Sequence, residues 1–344
     1  MESCSSHIDN TDCRIDWQRF TEIIKASNKI LLTAHRRPDG DCIGSELAMY
    51  HILTGLGKNV HILNHHPLPP TLKFLDPQNL VTGLEEKPKE SHDWLPDIDL
   101  IIVLDTGVWQ QLGNMEQIIR ESNAKKIVLD HHESWNDLNA ERFVDPSAEA
   151  TGIIVVRAAN ALQTELNYEA ALALFTSIVS DTGWFAYANV NSNTYKIAAQ
   201  LVNAGVVPAK VYREIYEQES IGRIRLVGKT LANVESHLDG KLMFANITLD
   251  DFNTTGALDS ETDGISSMLL KIKNSQVSLL ITELNNNKFK LSFRSRNELD
   301  CNKIAALFNG GGHKKAAGAT SNLPFKELKK QAINAIENAL YRSR

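Results

Sequence analysis

The segments IIVLDTG at residues 101–107 and IVLDHH at residues 127–132 share one pattern: an apolar run ends at an aspartate that further polar residues follow. Short, continuous apolar runs are typical of strands that are buried on both faces of a parallel sheet. Stretches with strand-like or helix-like spacing alternate through this part of the chain, at 29–34, 42–56, 59–63, 99–104, 126–129, 150–163 and 168–179. This alternation predicts an α/β fold whose first domain is a doubly wound, mostly parallel sheet.

The rest of the chain follows a different pattern. Residues 193 to about 234 have helical spacing. Beyond them, the pattern predicts three strands at 242–248, 277–284 and 288–293. The asparagines at 285–287 predict a turn that joins the last two strands, and 324–341 has the spacing of an amphipathic helix. We therefore expect a first domain over 15–190 and a smaller α/β domain over 235–344, joined by a helical linker over 191–234.

Length and charge limit the classes of function. The 344 residues, 42% of them hydrophobic, allow two compact domains with sizeable cores. The net charge of −6 argues against a broad basic face that would coat duplex nucleic acid. Residues 235–344 hold 15 basic and 12 acidic residues, a charge of +3, and the remainder of the chain has a charge of −9. This imbalance suits cations in the first part and an anion in the second.

The composition also bears on the cellular setting. The spacing of the four cysteines fits neither a zinc site nor a disulfide framework. They are Cys4, Cys13, Cys42 and Cys301. Residues 1–12 lack the apolar core of a signal peptide, and no apolar run is long enough to cross a bilayer. We expect a cytoplasmic protein without a membrane partner.

Four polar segments carry the candidate chemistry. They are HRRPDGD at 35–41, DTG at 105–107, DHH at 130–132 and DTG at 181–183. Each alone has an ordinary explanation as a turn, a strand exit or a helix cap. Three of them follow a predicted strand, however, and ligands bind at the carboxyl ends of strands in open α/β sheets. The fourth would join them through tertiary packing, whereas His65 and His66 are interpreted as a loop pair outside this set.

The four segments offer imidazoles and carboxylates but no thiolate. This mix suits Mn²⁺, Mg²⁺, Zn²⁺ or Fe²⁺ in a reactive centre rather than a structural zinc. The carboxylates of Asp39, Asp41, Asp105 and Asp181 carry four negative charges, which two divalent ions would neutralise. Two ions about 3.5–4 Å apart generate hydroxide from water and bind the oxygens of a phosphate. One carboxylate must bridge them, and Asp105, alone at a strand end, is well placed to do so.

The four segments, in this order, resemble the DHH phosphoesterase superfamily, whose name comes from the stretch at 130–132. RecJ-like exonucleases, family II inorganic pyrophosphatases, cyclic dinucleotide phosphodiesterases and nanoRNases belong to it. The resemblance implies two metal ions, usually Mn²⁺ in this family, held by two sets of residues that share one aspartate. The first set is His35, Asp39 and Asp105, and the second is Asp41, Asp105, His131 and Asp181.

Three residues are expected to act in catalysis. The resemblance implies that His132 faces the scissile phosphate as a substrate contact. Asp130 directly follows a predicted strand, and we expect it to orient a neighbouring imidazole or to close the loop. Together with the bridging Asp105, these residues form the predicted catalytic set.

A fifth segment, GGGHKKAAG at 310–318, lies in the predicted second domain. Its three glycines expose backbone N–H groups that can bind an oxyanion, and its histidine and lysines add donors or positive charge. The alternative interpretation is a flexible loop before a helix. The segment resembles the GGGH-x-x-AAG motif of DHHA1 domains, and FRSR at 293–296 resembles an arginine motif of the same domain. This resemblance implies substrate binding by Arg294, Gly311, Gly312 and His313.

Length and motif order resemble the branch of bifunctional oligoribonucleases (nanoRNases) that also act as phosphatases of 3′-phosphoadenosine 5′-phosphate (pAp). The resemblance implies hydrolysis of very short RNA to mononucleotides and of pAp to AMP. The expected partners are short RNA oligonucleotides and nucleotide bisphosphates, without duplex nucleic acid, and a homodimer is compatible with the sequence. Two alternatives stay open: a phosphodiesterase for cyclic dinucleotides or their linear products, and a nucleotide-binding module without catalysis. The complete ligand set argues against the second alternative.

Overall fold

The computed structural model describes residues 15–86, 92–296 and 299–342. The chain divides into two compact units, the first ending at Gln218 and the second beginning at Glu219. This boundary falls inside the predicted linker over 191–234. Cys4, Cys13 and the polar segment over 1–12 lie outside the described residues.

A sheet of six strands, each parallel to its neighbours, forms the centre of the first unit. The strands are β1 (Lys29–Thr33), β2 (Asn59–Asn64), β3 (Val81–Gly83), β4 (Leu100–Leu104), β5 (Lys125–Asp130) and β6 (Glu141–Val144). Their order is β3-β2-β1-β4-β5-β6, so the winding reverses between β1 and β4. The predicted parallel sheet is confirmed, and only the short β3 and β6, which lack a long apolar run, escape the sequence pattern.

Helices cover both faces of this sheet. They are α1 (Trp17–Ala26), α2 (Gly40–Gly55), α3 (Trp109–Leu112), α4 (Met115–Glu121), α5 (Thr151–Ala161) and α6 (Tyr168–Asp181), with 3₁₀ turns at Pro70–Leu75 and Leu95–Asp97. One core contains Ile30 and Leu32 and packs against α1, α2, α5 and α6, while the opposite core contains Leu31 and packs against α3 and α4. Successive strand residues point to opposite faces, so these strands are apolar at every position. The doubly wound architecture is therefore confirmed.

Two more helices, α7 (Ser192–Asn203) and α8 (Pro208–Tyr216), complete the first unit. A reciprocal pair of hydrogen bonds between Asn191 and Thr194 caps the start of α7. Pro208 opens α8, where a missing backbone N–H costs nothing. The helical spacing predicted from residue 193 onward thus corresponds to α7, α8 and, in the second unit, α9 (Ile221–Ala232).

The second unit contains another six-stranded sheet. Its strands are β7 (Glu235–His237), β8 (Leu242–Ile247), β9 (Val277–Leu284), β10 (Lys288–Ser295), β11 (Gly311–His313) and β12 (Ala316–Ser321), in the order β11-β12-β10-β9-β8-β7. β8 and β9 are parallel, and the other neighbouring strands are antiparallel. β9 and β10 form the predicted hairpin, and Asn286 and Asn287 at its turn both have positive φ.

Helices cover both faces of this second sheet as well. Besides α9 they are α10 (Leu249–Thr255), α11 (Ile265–Leu269), α12 (Cys301–Ala306) and α13 (Phe325–Arg342), with a 3₁₀ turn at Asp259–Thr262. Ile304 and Leu328 bring α12 and α13 into the core on one face, and Leu226 and Ile265 bring α9 and α11 into the core on the other. The prediction of a smaller α/β unit is confirmed.

Two features of the described residues bear on the expectations about the cysteines and about membrane-spanning segments. Cys42 and Cys301 are buried, free thiols. Among the described residues, no helix combines the length and the apolar character needed to span a bilayer.

Candidate metal centre

Residues of all four polar segments meet at one edge of the first sheet. His35 lies two residues beyond β1, Asp105 directly follows β4, and Asp130 ends β5 just before His131. The three strands are neighbours and pair in register near their last residues, so their carboxyl ends lie side by side. The segments therefore gather where the winding of the sheet reverses, which is the usual ligand site of such sheets.

Close packing of α2 against α6 brings the fourth segment to the same place. Asp181 is the last residue of α6, and Asp41 lies in the first turn of α2. A Cβ atom on Gly44 would lie 2.4 Å from the carbonyl oxygen of Ala173, so this approach of the two helices requires glycine. Asp181 follows no strand, yet this packing carries it to the edge of the sheet.

His35, Asp39 and Asp105 form the first group of candidate ligands, with one ligand atom from each within 4.8 Å of the others. Nε2 of His35 lies 3.3 Å from Oδ2 of Asp105 and 3.8 Å from Oδ1 of Asp39. Nδ1 of His35 lies 3.0 Å from the backbone oxygen of Arg36. A carbonyl can only accept, so Nδ1 carries the proton and Nε2 is left to bind a metal.

Asp41, His131 and Asp181 form the second group, again within 4.8 Å. Nε2 of His131 lies 3.4 Å from Oδ2 of Asp181 and 3.7 Å from Oδ2 of Asp41. Its Nδ1–H donates to the carbonyl oxygen of Ala148 at 3.1 Å. Both groups therefore use a histidine in which a backbone carbonyl fixes Nδ1 while Nε2 faces the carboxylates.

Asp105 links the two groups. Its Oδ2 atom faces His35, and its Oδ1 atom lies 3.7 Å from Nε2 of His131. The hydroxyl of Thr151 donates to the same Oδ1 atom at 2.9 Å. Asp105 also has a φ of 59°, a backbone conformation that is uncommon outside glycine, at the point where β4 ends. One carboxylate thus presents an oxygen to each group, which is the arrangement of a bridging ligand.

These carboxylates are costly to bury as anions. Asp41 and Asp105 are 1% and 3% exposed. Burial raises the pKa of Asp105 well above its usual value, and the charge of Asp41 raises it further. Burial and the same charge raise the pKa of Asp181 to about 6. Cations would offset both the burial and the repulsion, so the chemistry of this donor set fits two divalent ions.

His35 would exchange a proton for a metal. Burial lowers the pKa of His35, but its hydrogen bonds with Asp105 and Asp39 outweigh this effect and raise the pKa to about 11. A metal ligand must give up the proton of its coordinating nitrogen. Binding at Nε2 of His35 is therefore expected to release a proton at neutral pH.

Four donors outside the polar segments hold Asp41 in place. The N–H groups of Thr151 and Gly152, in the first turn of α5, donate to its Oδ2 and Oδ1 atoms at 2.8 and 3.1 Å. The hydroxyls of Ser45 and Ser177 donate to Oδ1 at 3.2 and 2.5 Å. The positive end of the α5 dipole also favours an anion here. The sequence does not reveal these donors, because serine and threonine within helices carry no spacing signal.

His132 and Asp130 form a separate pair beside the two groups. Oδ1 of Asp130 accepts the backbone N–H of His132 at 3.0 Å and lies 2.8 Å from its Nδ1. Asp130 is 1% exposed, whereas the side chain of His132 is 52% exposed. The hydrogen bond that Asp130 accepts from Nδ1–H of His132 raises the pKa of His132 to about 9. Asp130 thus orients a protonated, accessible imidazole whose Nδ1 lies 3.7 Å from Oδ1 of Asp105.

Glu46 on α2 is a buried acid that no motif singles out. Nδ2 of Asn64 donates to its Oε2 at 2.8 Å, and Oδ1 of Asn64 accepts the N–H of Ala34 at 2.9 Å, just before His35. Glu46 has no exposed surface, and among the described residues no group bonds to its Oε1. Burial raises the pKa of Glu46 to about 8. A buried carboxyl group thus lies beneath the loop that begins the site.

Glu46→Gln is expected to remove a pH dependence of stability. The folded-state pKa lies above the ordinary value of 4.5, so the free energy of unfolding falls as pH rises from about 4.5 to about 8. One pKa unit corresponds to about 1.4 kcal/mol, so the variant should gain a few kcal/mol at pH 8.5 and nothing at pH 4.5. Urea unfolding of the metal-free protein at pH 4.5 and at pH 8.5 measures the free energy of unfolding at each pH. The exposed Glu165→Gln is the control, and equal slopes for Glu46→Gln and wild type would refute the assignment.

In the second unit, two of the predicted substrate residues, Arg294 and His313, share one face of the sheet. Arg294 on β10 and His313 on β11 both pair with Ala316 of β12, so the three residues form one row across the strands. Residues in such a row point to the same face, and two strand spacings separate Arg294 from His313 by about 10 Å. Arg294 is half-buried and His313 is exposed.

The glycine segment is a hairpin formed by β11 and β12, not a flexible loop. The N–H of Gly310 donates to the backbone oxygen of Ala305 at 2.9 Å, and that of Gly312 donates to Oδ1 of Asn302 at 2.9 Å. The expectation of three exposed amides is therefore corrected, since two of them bond within the unit. Glycine is needed for close approach instead: a Cβ on Gly310 would lie 2.2 Å from the carbonyl oxygen of Gly318.

Comparisons with known proteins agree with this division. The family model for the N-terminal domain of the DHH family matches residues 29–178, and the model for the DHHA1 domain matches residues 239–342. The bifunctional oligoribonuclease and PAP phosphatase NrnA of Thermus thermophilus is 28% identical over 95% of this chain and 96% of that protein. The cyclic-di-AMP phosphodiesterase PdeA of Listeria monocytogenes is 24% identical over 94% of this chain and 50% of that protein. The crystal structure of an exopolyphosphatase-related protein from Bacteroides fragilis superposes with a TM-score of 0.85, 28% identity and 95% coverage of both chains.

Proposed function

The chain belongs to the DHH family, carries a DHHA1 domain and is a phosphoesterase, and we propose that its substrates are very short RNA oligonucleotides and pAp. The proposed reactions release mononucleotides from RNA of a few residues and remove one phosphate from pAp to give AMP. Both reactions hydrolyse a phosphoester of a small nucleotide, so one centre serves both.

The geometry of Asp105 supports the two-metal assignment. Its two oxygens face separate ligand groups, and each group has its own imidazole Nε2, from His35 or from His131. We assign two divalent ions, Mn²⁺ by preference, to His35, Asp39 and Asp105 and to Asp41, Asp105, His131 and Asp181. Such ions, when bound, lower the pKa of a coordinated water and neutralise phosphate oxygens.

The residues of the chain would then orient the reacting groups. Asp105 fixes the spacing of the two groups, and Thr151 holds the Asp105 carboxylate by a hydrogen bond. His132, held by Asp130, presents its Nε2–H to a phosphate oxygen and contributes positive charge where negative charge develops in the transition state. These roles make Asp105, Asp130 and His132 the catalytic set.

Relatives and charge support the choice of substrate. The Thermus thermophilus relative is described as an oligoribonuclease and PAP phosphatase, and this chain covers 96% of it. Arg294 and His313 form a row of cationic and donor groups on the second sheet, which suits a phosphate or a base of a short nucleotide. We assign Arg294, Gly311, Gly312 and His313 to substrate binding, with Gly312 contributing close approach of the backbone rather than its N–H, which donates to Asn302.

A second candidate is hydrolysis of cyclic dinucleotides. The relative from Listeria monocytogenes is described as a cyclic-di-AMP phosphodiesterase, but this chain covers only half of it. The same centre would suit that reaction, because the scissile bond is again a phosphodiester. A nucleotide-binding module without catalysis is the weaker candidate, because every predicted metal ligand is present and convergent.

The direct test supplies the purified protein with Mn²⁺ and a 5′-labelled RNA dinucleotide and resolves the products over time. We expect rapid conversion to labelled mononucleotide, and release of phosphate from pAp in a parallel assay. Cyclic di-AMP and its linear product pApA are the comparison substrates. Cleavage of cyclic di-AMP alone would favour the second candidate, and no cleavage of any substrate by folded, metal-loaded protein would overturn the proposal.

Arg294→Ala is expected to weaken substrate binding rather than chemistry. Loss of a charge-assisted hydrogen bond costs about 1.5–3 kcal/mol, so KM for the RNA dinucleotide should rise about 10- to 100-fold while kcat changes less than about 3-fold. Lys290→Ala is the matched control, since Lys290 is an exposed cation on the same face of β10, about 13 Å along the strand. Steady-state kinetics measure kcat and KM for both variants. An unchanged KM for Arg294→Ala would exclude Arg294 from the substrate site.

A further inference from the structure

His65, His66 and Glu85 form another group of potential metal ligands outside the centre described above. One ligand atom from each lies within 4.8 Å of the others, and the two imidazole rings are 4.3 Å apart. Nε2 of His66 lies 3.4 Å from Oε1 of Glu85. By ligand type alone, this group resembles a third metal site.

The hydrogen bonds of the two rings argue against a metal. The backbone N–H of Arg37 donates to Nδ1 of His66 at 2.9 Å, and that of Asn114 donates to Nδ1 of His65 at 3.3 Å. Each Nδ1 atom is therefore an acceptor without a proton. A neutral imidazole keeps its one proton on the other nitrogen, so each Nε2 is an N–H donor and has no lone pair for a metal.

The bond to His66 belongs to a chain of hydrogen bonds that reaches the metal centre. Arg36 and Arg37 share one peptide unit. Its N–H donates to Nδ1 of His66, and its carbonyl oxygen accepts the Nδ1–H of His35 at 3.0 Å. These two hydrogen bonds connect His66 through the peptide to His35, whose Nε2 faces Asp105, and the Glu85 carboxylate lies 3.4 Å from Nε2 of His66.

We infer that His66 is a positioning residue for His35, acting through the Arg36–Arg37 peptide. This inference rests on the proposed function, because it takes His35 as a metal ligand. His66 fixes the plane of the peptide, and the peptide carbonyl then fixes both the tautomer and the ring orientation of His35. His65 has no part in this chain, because its Nδ1 accepts from Asn114.

Two features explain why this peptide needs such a contact. Arg37 has a φ of 59°, a conformation that non-glycine residues adopt at a cost, and the hydrogen bond to His66 stabilises it. All the bonds of the chain also point in one direction, and aligned hydrogen bonds polarise one another. The acceptor on His66 therefore raises, through the peptide, the basicity of Nε2 of His35, as the outer hydrogen-bond partners of metal-bound histidines do.

Two substitutions of His66 separate its two contacts. In His66→Asn, Oδ1 takes the place of Nδ1 and still accepts the N–H of Arg37, whereas the link to Glu85 is lost. In His66→Gln, the amide reaches the place of Nε2 and keeps a polar group near Glu85, but no acceptor remains for Arg37. Mn²⁺ affinity, measured from the spectrum of free Mn²⁺ by electron paramagnetic resonance, should fall about 10- to 100-fold in His66→Gln. It should stay within about 3-fold of wild type in His66→Asn.

Reference and control variants make the outcome specific. His35→Ala shows how much Mn²⁺ affinity depends on the ligand itself, and His65→Gln is the matched neighbour that should bind like wild type. A loss with His35→Ala but none with His66→Gln would overturn the inference alone. No loss with either would overturn the metal centre, and loss of one bound ion with His65→Gln would show that the group is a metal site after all.

The tautomers give a second readout. Nitrogen-15 spectra of histidine side chains in the Zn²⁺-loaded protein should show an Nδ1–H proton on His35 and an Nε2–H proton on His66. The His35 pattern should persist in His66→Asn and broaden or change in His66→Gln. An Nδ1–H proton on His66 of the wild type would overturn the inference.

Discussion

Asp105→Asn is expected to lower kcat/KM at least about 10³-fold and to leave the fold intact. The substitution keeps the shape of the side chain and an acceptor for the hydroxyl of Thr151, but it removes the one anion that faces both ligand groups. A thousandfold loss corresponds to about 4 kcal/mol of transition-state stabilisation, which matches the charge stabilisation that metal ions supply in phosphoryl transfer. Kinetics with the RNA dinucleotide measure the loss.

Thermal unfolding with and without Mn²⁺ tests the cause of that loss. A ligand that binds the native state at 100 times its Kd stabilises it by about 2.7 kcal/mol, so Mn²⁺ should raise the Tm of the wild type clearly and that of Asp105→Asn little. Asp137→Asn is the control, because Asp137 is exposed and, within the described part of the chain, its side chain accepts one hydrogen bond, from the N–H of Asn139. If Asp105→Asn kept a tenth of wild-type activity, Asp105 would not be the bridge.

The sequence predicts that most of the candidate ligands meet, because three of the four polar segments lie at the ends of strands. A run such as 101–104 is typical of a strand that is buried on both faces of a parallel sheet, and the carboxyl ends of parallel strands share one edge. The positions of His35, Asp105 and His131 follow from this rule. Their convergence therefore needs no knowledge of side-chain packing.

Other parts of the site depend on packing that no local pattern reveals. Asp181 reaches the centre because α2 and α6 approach to a distance that requires glycine at both Gly40 and Gly44. Ser177 lies in an apolar helix, and nothing in its spacing indicates that its hydroxyl bonds to Asp41. In the sequence, nothing distinguishes His66 from an ordinary loop residue. Its contact is with the backbone N–H of Arg37, which lies 29 residues away, so no local pattern indicates it.

The glycine segment shows a different limit. GGGHKKAAG at 310–318 is compatible with a flexible loop, an anion-binding loop or a tight hairpin, because glycine permits all three. The hairpin is stabilised by the pairing of β11 with β12 and by the hydrogen bond that the N–H of Gly312 donates to Oδ1 of Asn302. Asn302 lies on α12, outside the segment, so the local sequence could not decide between the three.

His132→Ala is expected to lower kcat about 10²- to 10⁴-fold while both metal ions stay bound. Positioned acid–base and charged groups at a reacting centre contribute in this range. His132 is oriented by Asp130 and is half-exposed, so its imidazole is available to a substrate. The hydrogen bond that Asp130 accepts from His132 raises the pKa of His132 to about 9, so the protonated form is lost as pH rises through that value. The activity of the wild type should therefore fall at alkaline pH. The midpoint should lie at or below pH 9, because bound cations favour loss of the proton from His132. The pH–activity profile of His132→Ala should lack this alkaline fall.

Asp105, His131 and His132 also have ligand atoms within 4.8 Å of one another, which makes metal ligation the alternative role for His132. The number of Mn²⁺ ions bound per chain distinguishes ligation from substrate contact. If His132 contacts substrate, His132→Ala keeps two Mn²⁺ per chain, whereas His131→Ala loses one. Asp130→Asn provides the intermediate case: the amide oxygen still accepts from His132, but the charge that favours its protonation is gone. Its alkaline limb should move to lower pH with a smaller loss of kcat. Loss of one ion in His132→Ala would make His132 a ligand and would leave the Asp130 carboxylate to orient that ligand, as carboxylates do for metal-bound histidines.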